Sequence, residues 1–176
     1  MECFSDKDVR KIVEKQLSIN ATNFCKVAKF CSYGFPQVIK SLPIKDEKPF
    51  PTLNYLVCPY LIKEVSRLEE KGYIKKFQDE IEADKELREK LVNAHMKVIE
   101  ERDKFFERDD LKKYEQWRNV LKSVGSGGIK DFSKIKCLHL HLADFLAGIE
   151  NPIGEKVASL LKSLECDDSY CKRFLE

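Results

Sequence analysis

The sequence predicts an α+β fold: a single, mostly helical domain over residues 1–176 with a small antiparallel sheet near residues 24–58. Three observations predict it. A chain of 176 residues is long enough for one hydrophobic core and short for two. From Pro59 onward, apolar residues recur at helical spacing. Residues 24–58 instead contain short strand-like runs that glycine and proline separate.

The first predicted helix begins near Ser5. Ser5 and Asp8 have the spacing of a capping box, and Phe4 and Val9 occupy the two positions of a hydrophobic staple. The apolar face of this helix continues through Ile12, Val13 and Leu17. The pattern breaks after Leu17, so we expect one short helix before the sheet.

Three runs, residues 24–31, 37–42 and 52–58, are the predicted strands. Residues 33–36 form a turn between the first two runs, and residues 46–49 form a loop before the third. Pro49 and Pro51 favour an extended approach to the third run. The sheet is therefore predicted to be antiparallel and small.

Helices follow to the end of the chain. Pro59 suits a first helical turn, and Gly72 ends that helix. A second apolar series is followed by Asp84, which is placed to cap a long helix reaching Phe105. Asp109 or Asp110 is predicted to cap the next helix, which ends at Gly125. The next helix is predicted to carry Cys137 and to end at Gly148, and Asn151 with Pro152 begins the last one.

Charge and hydropathy exclude two classes of partner. The chain has 32 basic and 30 acidic residues, and its net charge of +2 gives no reason to expect nucleic acid or an anionic membrane as a partner. No apolar run is long enough to span a bilayer. The first residues lack the pattern of a signal peptide, so we expect a cytoplasmic protein. No partner is indicated. In a cytoplasmic protein the seven cysteines should be mostly reduced, and seven is a large number for a cytosolic chain of this size.

Cysteines and histidines give the strongest indication of a site. Cys31, Cys58 and Cys137 each stand where a predicted element begins or ends, which is where ligands from distant segments converge. If the last of these lies on a helix, His141 shares its face and His139 points roughly 200° away. The predicted metal ligands are therefore Cys31, Cys58, Cys137 and His141.

The fourth ligand stays open. Besides His141, the chain offers a tail cysteine (Cys166 or Cys171) or another histidine (His139 or His95). Thiolate-rich ligation is typical of zinc or an iron–sulfur cluster, and the dispersed spacing slightly favours the cluster. The competing interpretation treats these thiols as small buried hydrophobic groups and the histidines as core residues.

A glycine-rich turn gives a second candidate site. The backbone amides of Gly125, Ser126, Gly127 and Gly128, with the side chain of Lys130, could bind an anion. The competing interpretation is a plain connection between helices. Phosphate-loop, dinucleotide, serine-hydrolase and zinc-protease signatures are absent from the sequence.

Several motifs together resemble the uncharacterised bacterial family called domain of unknown function 501. They are Cys-Ser-Tyr-Gly-Phe-Pro-Gln-Val-Ile at 31–39, Pro-Phe-Pro-Thr at 49–52, Cys-Pro-Tyr-Leu at 58–61, Ser-Arg-Leu-Glu at 66–69, Ala-His at 94–95, Lys-Cys-Leu-His-Leu-His at 136–141 and Asn-Pro-Ile-Gly at 151–154. The resemblance implies a stand-alone bacterial protein and brings no activity with it.

Three functions are compatible with these features. The leading hypothesis is a bacterial cytoplasmic metalloprotein with a thiolate-ligated iron–sulfur cluster or zinc ion. The second is a metal-free interaction or scaffold module, whose polar motifs only stabilise the junction of sheet and helices. The third is an enzyme that acts on a small anionic substrate, with the glycine turn as the anion site and a histidine as acid–base.

Overall fold

The computed structural model describes Cys3 and residues 7–175, and it confirms the α+β fold. The predicted capping and staple residues Phe4 and Ser5 lie outside the described residues. Within the described residues there are seven α-helices: α1 (Lys7–Leu17), α2 (Pro59–Glu70), α3 (Tyr73–Ala83), α4 (Lys85–Asp103), α5 (Glu115–Lys122), α6 (Leu138–Leu146) and α7 (Pro152–Leu160). Short 3-10 turns lie at Lys104–Glu107, Lys112–Tyr114, Ser126–Gly128 and Tyr170–Phe174.

The sheet lies where the sequence predicts it. Its three strands are β1 (Phe24–Phe30), β2 (Pro36–Ser41) and β5 (Asn54–Leu56); β3 and β4 belong to a separate hairpin. They pair antiparallel in the order β1-β2-β5. All six residues of β2 are buried, as befits a central strand.

A small hairpin replaces most of the loop predicted at residues 46–49. β3 (Ile44–Lys45) pairs antiparallel with β4 (Lys48–Pro49). The two residues between them, Asp46 and Glu47, both have positive φ angles, of 49° and 62°. Two successive left-handed residues form the tight turn that suits the twist of a two-stranded hairpin.

Most predicted helix ends are confirmed. Pro59 lies in the first turn of α2, and Gly72 follows that helix with a φ of +82°. The Asp84 carboxylate accepts the amide of Leu87 at 3.1 Å and so caps α4. The Asn151 side chain caps α7 by accepting the amides of Ile153 and Gly154.

Two predicted helix starts are wrong. α5 begins at Glu115, because Asp109 and Asp110 pair with Lys112 and Arg108 instead of capping a helix. α6 begins at Leu138, because the backbone of Cys137 is extended, with a φ of −154° and a ψ of 155°. The predicted shared helical face of Cys137 and His141 therefore does not exist.

α6 lies at the centre of the molecule, in contact with α2, α7 and β5. Its Leu138 and Leu142 are fully buried, in the same core cluster as Ile153 and Val157 of α7. Gly154 allows α7 to approach closely, since a Cβ at that position would lie 2.1 Å from the carbonyl oxygen of His141. The start of α6 is held against the C-terminal end of α2 by a hydrogen bond from the Leu138 amide to the Glu69 carboxylate.

One disulfide joins Cys3 to Cys25 and ties the start of the chain to β1. The other five cysteines are free thiols. Among the described residues, no helix is both long enough and apolar enough to cross a membrane.

Candidate functional site

Three potential metal ligands meet where the end of α2 faces the start of α6. Glu69, Cys137 and His139 each offer one ligand atom, and these atoms all lie within 4.8 Å of one another. In the part of the chain that the structure describes, this is the one group of three or more such residues. The site thus combines an oxygen, a sulfur and a nitrogen donor.

Glu69 holds the site together. Its Oε1 accepts the backbone amide of Leu138 at 2.6 Å, which caps α6 from outside that helix. The same oxygen lies 3.1 Å from Nδ1 of His139. One carboxylate therefore fixes both the start of α6 and the orientation of the imidazole.

The other ring nitrogen of His139 is bound to α2. Its Nε2 lies 3.1 Å from the carbonyl oxygen of Ile62 and 3.2 Å from Oγ of Ser66. Because a carbonyl can only accept, we assign the Nε2 proton to this contact. Nδ1 is then the nitrogen that can bind a metal, with its ring oriented by a backbone carbonyl, as is usual for metal-binding histidines.

The pKa of His139 is raised above its ordinary value. The neighbouring Cys137 thiol is the main cause, burial opposes the rise, and the charge of Glu69 and the Ile62 carbonyl add to it. If the imidazole takes up a second proton, that proton lies on Nδ1, beside the carboxylate. A cation that binds there must displace this proton, so metal binding will weaken as the pH falls.

Cys137 and His139 line a cavity of about 260 Å³ between α6, β5 and the glycine turn. Tyr55, Leu56 and Leu140 give it largely apolar walls, while Asn54 and Lys136 contribute polar groups. Small-molecule sites in proteins have this mixture of apolar walls and a few polar groups. Two of the three ligands, Cys137 and His139, therefore line a space that can admit a small molecule.

The ligands predicted from sequence are not all brought together here. Cys137 is in the group, whereas Cys31, Cys58 and His141 are not. Cys31 follows β1, and Cys58 stands at the N-terminal end of α2. Glu69 was missed as a ligand, although it ends the Ser-Arg-Leu-Glu motif quoted above, because an acidic residue on a charged helix carries no local signal of its role.

His141 is fully buried and has a different environment from His139. The Asn151 amide oxygen accepts two backbone amides, so its nitrogen must face His141 Nδ1, 3.0 Å away. His141 Nδ1 is then an acceptor, and the proton of the neutral ring is on Nε2. The Asn151 hydrogen bond occupies the Nδ1 lone pair of His141, and this histidine is not part of the group formed by Glu69, Cys137 and His139.

His95 is fixed in the same way. Its Nδ1 accepts the Ser126 amide at 3.1 Å, and its ring lies against His141 with centroids 5.8 Å apart. Among the described residues, neither His95 Nε2 nor His141 Nε2 has a hydrogen-bond partner. Burial, together with the charge of Arg102, lowers the pKa of His95 to about 4. Burial, together with the neighbouring His95, lowers the pKa of His141 to about 3.

These buried rings predict a loss of stability in acid. An unfolded histidine binds a proton near pH 6.5, whereas the folded rings resist it until about pH 4 or below, so the free energy of unfolding should fall as the pH drops from 6.5 to 4. The loss from His95 alone is on the order of 3 kcal/mol. Asp144, whose pKa is raised to about 6 mainly by burial, acts in the opposite direction.

Urea denaturation at a series of pH values checks this prediction. His95→Gln should give a shallower pH dependence between 6.5 and 4 than the natural sequence. Met96→Gln is the control, since it places the same side chain at the next position, which is exposed. Equal slopes for all three proteins would contradict the assignment of the acid sensitivity to the buried ring.

The glycine turn is packed against His95. Its amides at Gly125, Ser126 and Gly128 donate to the Ile129 carbonyl, to His95 Nδ1 and to the Gly125 carbonyl. Ser126 is fully buried and Lys130 is exposed. Anion binding by Gly125, Ser126, Gly127, Gly128 and Lys130 stays a prediction, and it would compete with these internal hydrogen bonds.

Comparison with known proteins assigns the chain to a family. A family model described as a protein of unknown function, DUF501, matches residues 27–159, which is most of the chain and includes Glu69, Cys137 and His139. No curated protein and no solved structure gives a significant match. The chain therefore belongs to the DUF501 family, as its motifs indicated.

Proposed function

We propose that this protein is a bacterial cytoplasmic metalloprotein that binds one zinc ion between Glu69, Cys137 and His139. The proposal is carried by one observation: three different ligand atoms lie within 4.8 Å of one another. The hydrogen bond from His139 Nε2 to the Ile62 carbonyl supports it, because it leaves Nδ1 to bind the ion.

The set of ligands favours zinc over the iron–sulfur cluster that the sequence slightly favoured. Clusters are held mainly by thiolates, and this group offers a single thiol. Zinc binds sulfur, nitrogen and carboxylate oxygen at four tetrahedral positions. One imidazole, one thiolate and one carboxylate fill three of these.

The fourth position would be available to a small ligand. Zinc sites with three protein ligands and one exchangeable position are typical of catalysis, where the metal polarises a bound carbonyl or activates a bound water. Here the ion would lie beside the cavity lined by Tyr55, Leu56 and Leu140. A Lewis-acid role toward a small, partly apolar molecule is the chemistry that this arrangement supports.

Zinc binding to single variants tests the proposal, with stoichiometry measured by competition against a chromogenic chelator. His139→Ala and Cys137→Ser should each weaken binding at this site by about a hundredfold or more, enough to lose one zinc equivalent from the isolated protein. Glu69→Gln should weaken it as well, because it removes the anionic ligand.

His141→Asn is the matched control, since it replaces a histidine two residues further along the same helix. It should keep the zinc equivalent even if it lowers stability through the buried hydrogen bond to Asn151. Unchanged binding in His139→Ala would contradict the proposal, as would a loss confined to the His141 variant.

A further inference from the structure

The cavity beside Cys137 and His139 carries a positive charge and no negative one. Lys136 is the only lysine or arginine among its described lining residues, and these include no aspartate or glutamate. The larger cavity beside α4 and α7 differs, because Glu150 and Glu155 line it. The charge of the cavity beside Cys137 therefore suits an anion.

Lys136 is held at the rim of this cavity without an ionic partner. Its Nζ donates to the Gly127 carbonyl at 3.0 Å, and Gly127 packs so closely on Leu140 that a Cβ there would lie 2.8 Å from Leu140 Cδ2. A carbonyl orients the ammonium group but does not neutralise it. In the part of the chain that the structure describes, Lys136 makes no ion pair, whereas Lys134 pairs with Glu82 at 2.9 Å. Two N–H donors of Lys136 are thus left for a ligand.

The walls of the cavity are apolar and well fixed. Leu56 and Leu140 are buried, and Ile62 of α2 lies on the wall as well. The Tyr55 ring is stacked on Phe50, with ring centroids 6.4 Å apart. An apolar group that enters the cavity would displace water from these side chains, and this favours binding.

Size and remaining polar groups narrow the choice of ligand. Asn54 also lines the cavity, but its side chain already donates to Asp144 at 2.9 Å and accepts from Lys40 at 3.2 Å. Away from the metal ligands, Lys136 is therefore the main polar group that a ligand would meet. The volume of about 260 Å³ is roughly nine times the share of one water molecule in the liquid, so the ligand has on the order of nine non-hydrogen atoms.

We propose that this cavity binds a small monocarboxylate with an apolar body. The carboxylate would accept from Lys136 Nζ, and the body would lie against Tyr55, Leu56 and Leu140. A single lysine matches one negative charge, so a doubly charged phosphate should bind less well. As the substrate class of the zinc site, this inference rests on the proposed function, although Lys136 and the apolar walls can bind the acid without the metal.

NMR titration with benzoate tests the inference, first on protein stripped of metal by a chelator and then with zinc added. Benzamide is the neutral analogue of the same size, and acetate lacks the apolar body. Benzoate should bind about fivefold or more tightly than benzamide and about tenfold or more tightly than acetate. The largest shifts should be those of the amides of Leu56, Gly127 and Leu140.

Substitutions of Lys136 identify the group that binds the carboxylate. Lys136→Met should remove the preference for benzoate over benzamide, while Lys136→Arg should keep most of it. Both variants should fold, because the side chain is exposed. Lys134→Met is the matched control, since Lys134 is also exposed but does not line the cavity, and it should keep the preference.

The outcomes separate this inference from the zinc site. Benzoate binding that persists in Cys137→Ser, which should lose zinc, would support the inference even if the zinc proposal failed. A protein that binds zinc but prefers benzoate no more than benzamide would overturn the inference alone. Equal benzoate affinity in Lys136→Met and the natural chain would overturn it too.

Discussion

Replacing Arg102 with methionine is expected to lower the free energy of unfolding by about 4 kcal/mol or more. The Arg102 side chain is almost completely buried. Its guanidinium donates to the carbonyls of Pro51 and Val124, each at 2.5 Å, to that of Gly125 at 3.3 Å, and to that of Leu121. Methionine fills similar space but removes all four of these hydrogen bonds.

Arg118→Met is the matched control for that measurement. Arg118 pairs with the Asp103 carboxylate at 2.7 and 2.8 Å, but the pair is partly exposed, so its loss should cost much less. Chemical denaturation of the two variants and the natural chain gives the comparison. Similar losses for both variants would contradict the view that Arg102 joins three segments of the core.

Gly154→Ala is expected to destabilise the protein by about 3 kcal/mol. The new Cβ would lie 2.1 Å from the His141 carbonyl oxygen and 2.5 Å from Cβ of Phe145, so α7 must move away from α6. A backbone atom cannot rotate away as a side chain can. Because α6 begins beside Cys137, the same variant should also weaken zinc binding.

Thermal or chemical unfolding of Gly154→Ala should be compared with Ser159→Ala. Ser159 lies on the same helix and is exposed, so its replacement should change stability by no more than about 0.5 kcal/mol. An alanine at position 154 that left both stability and zinc affinity unchanged would show that α6 and α7 can separate without cost, contrary to the packing described above.

The fold could be predicted where its signals are local. Asp84 and Asn151 cap the helices that follow them, and the three strand-like runs pair as expected, since each signal lies within a few residues of its effect. The start of α6 could not be predicted in this way. Its capping group is Glu69, which lies 69 positions before Leu138, so only the folded chain brings the two together.

The site was predictable in part. Cys137 was identified because it stands at the start of an element, and His139 was named only as an alternative ligand. His141 was preferred on helical spacing, an argument that fails because Cys137 is extended. The roles of the two histidines are decided by Ile62 and Asn151, each of which fixes one ring nitrogen through a contact between separate elements.

The most direct measurement is a crystal structure of the zinc-soaked protein with anomalous diffraction recorded at the zinc absorption edge. We expect a peak about 2.3 Å from Sγ of Cys137 and about 2.0 Å from Nδ1 of His139, with a Glu69 oxygen as the third ligand. A peak beside His141, or zinc bound to the protein with no peak at Cys137, would contradict the central claim.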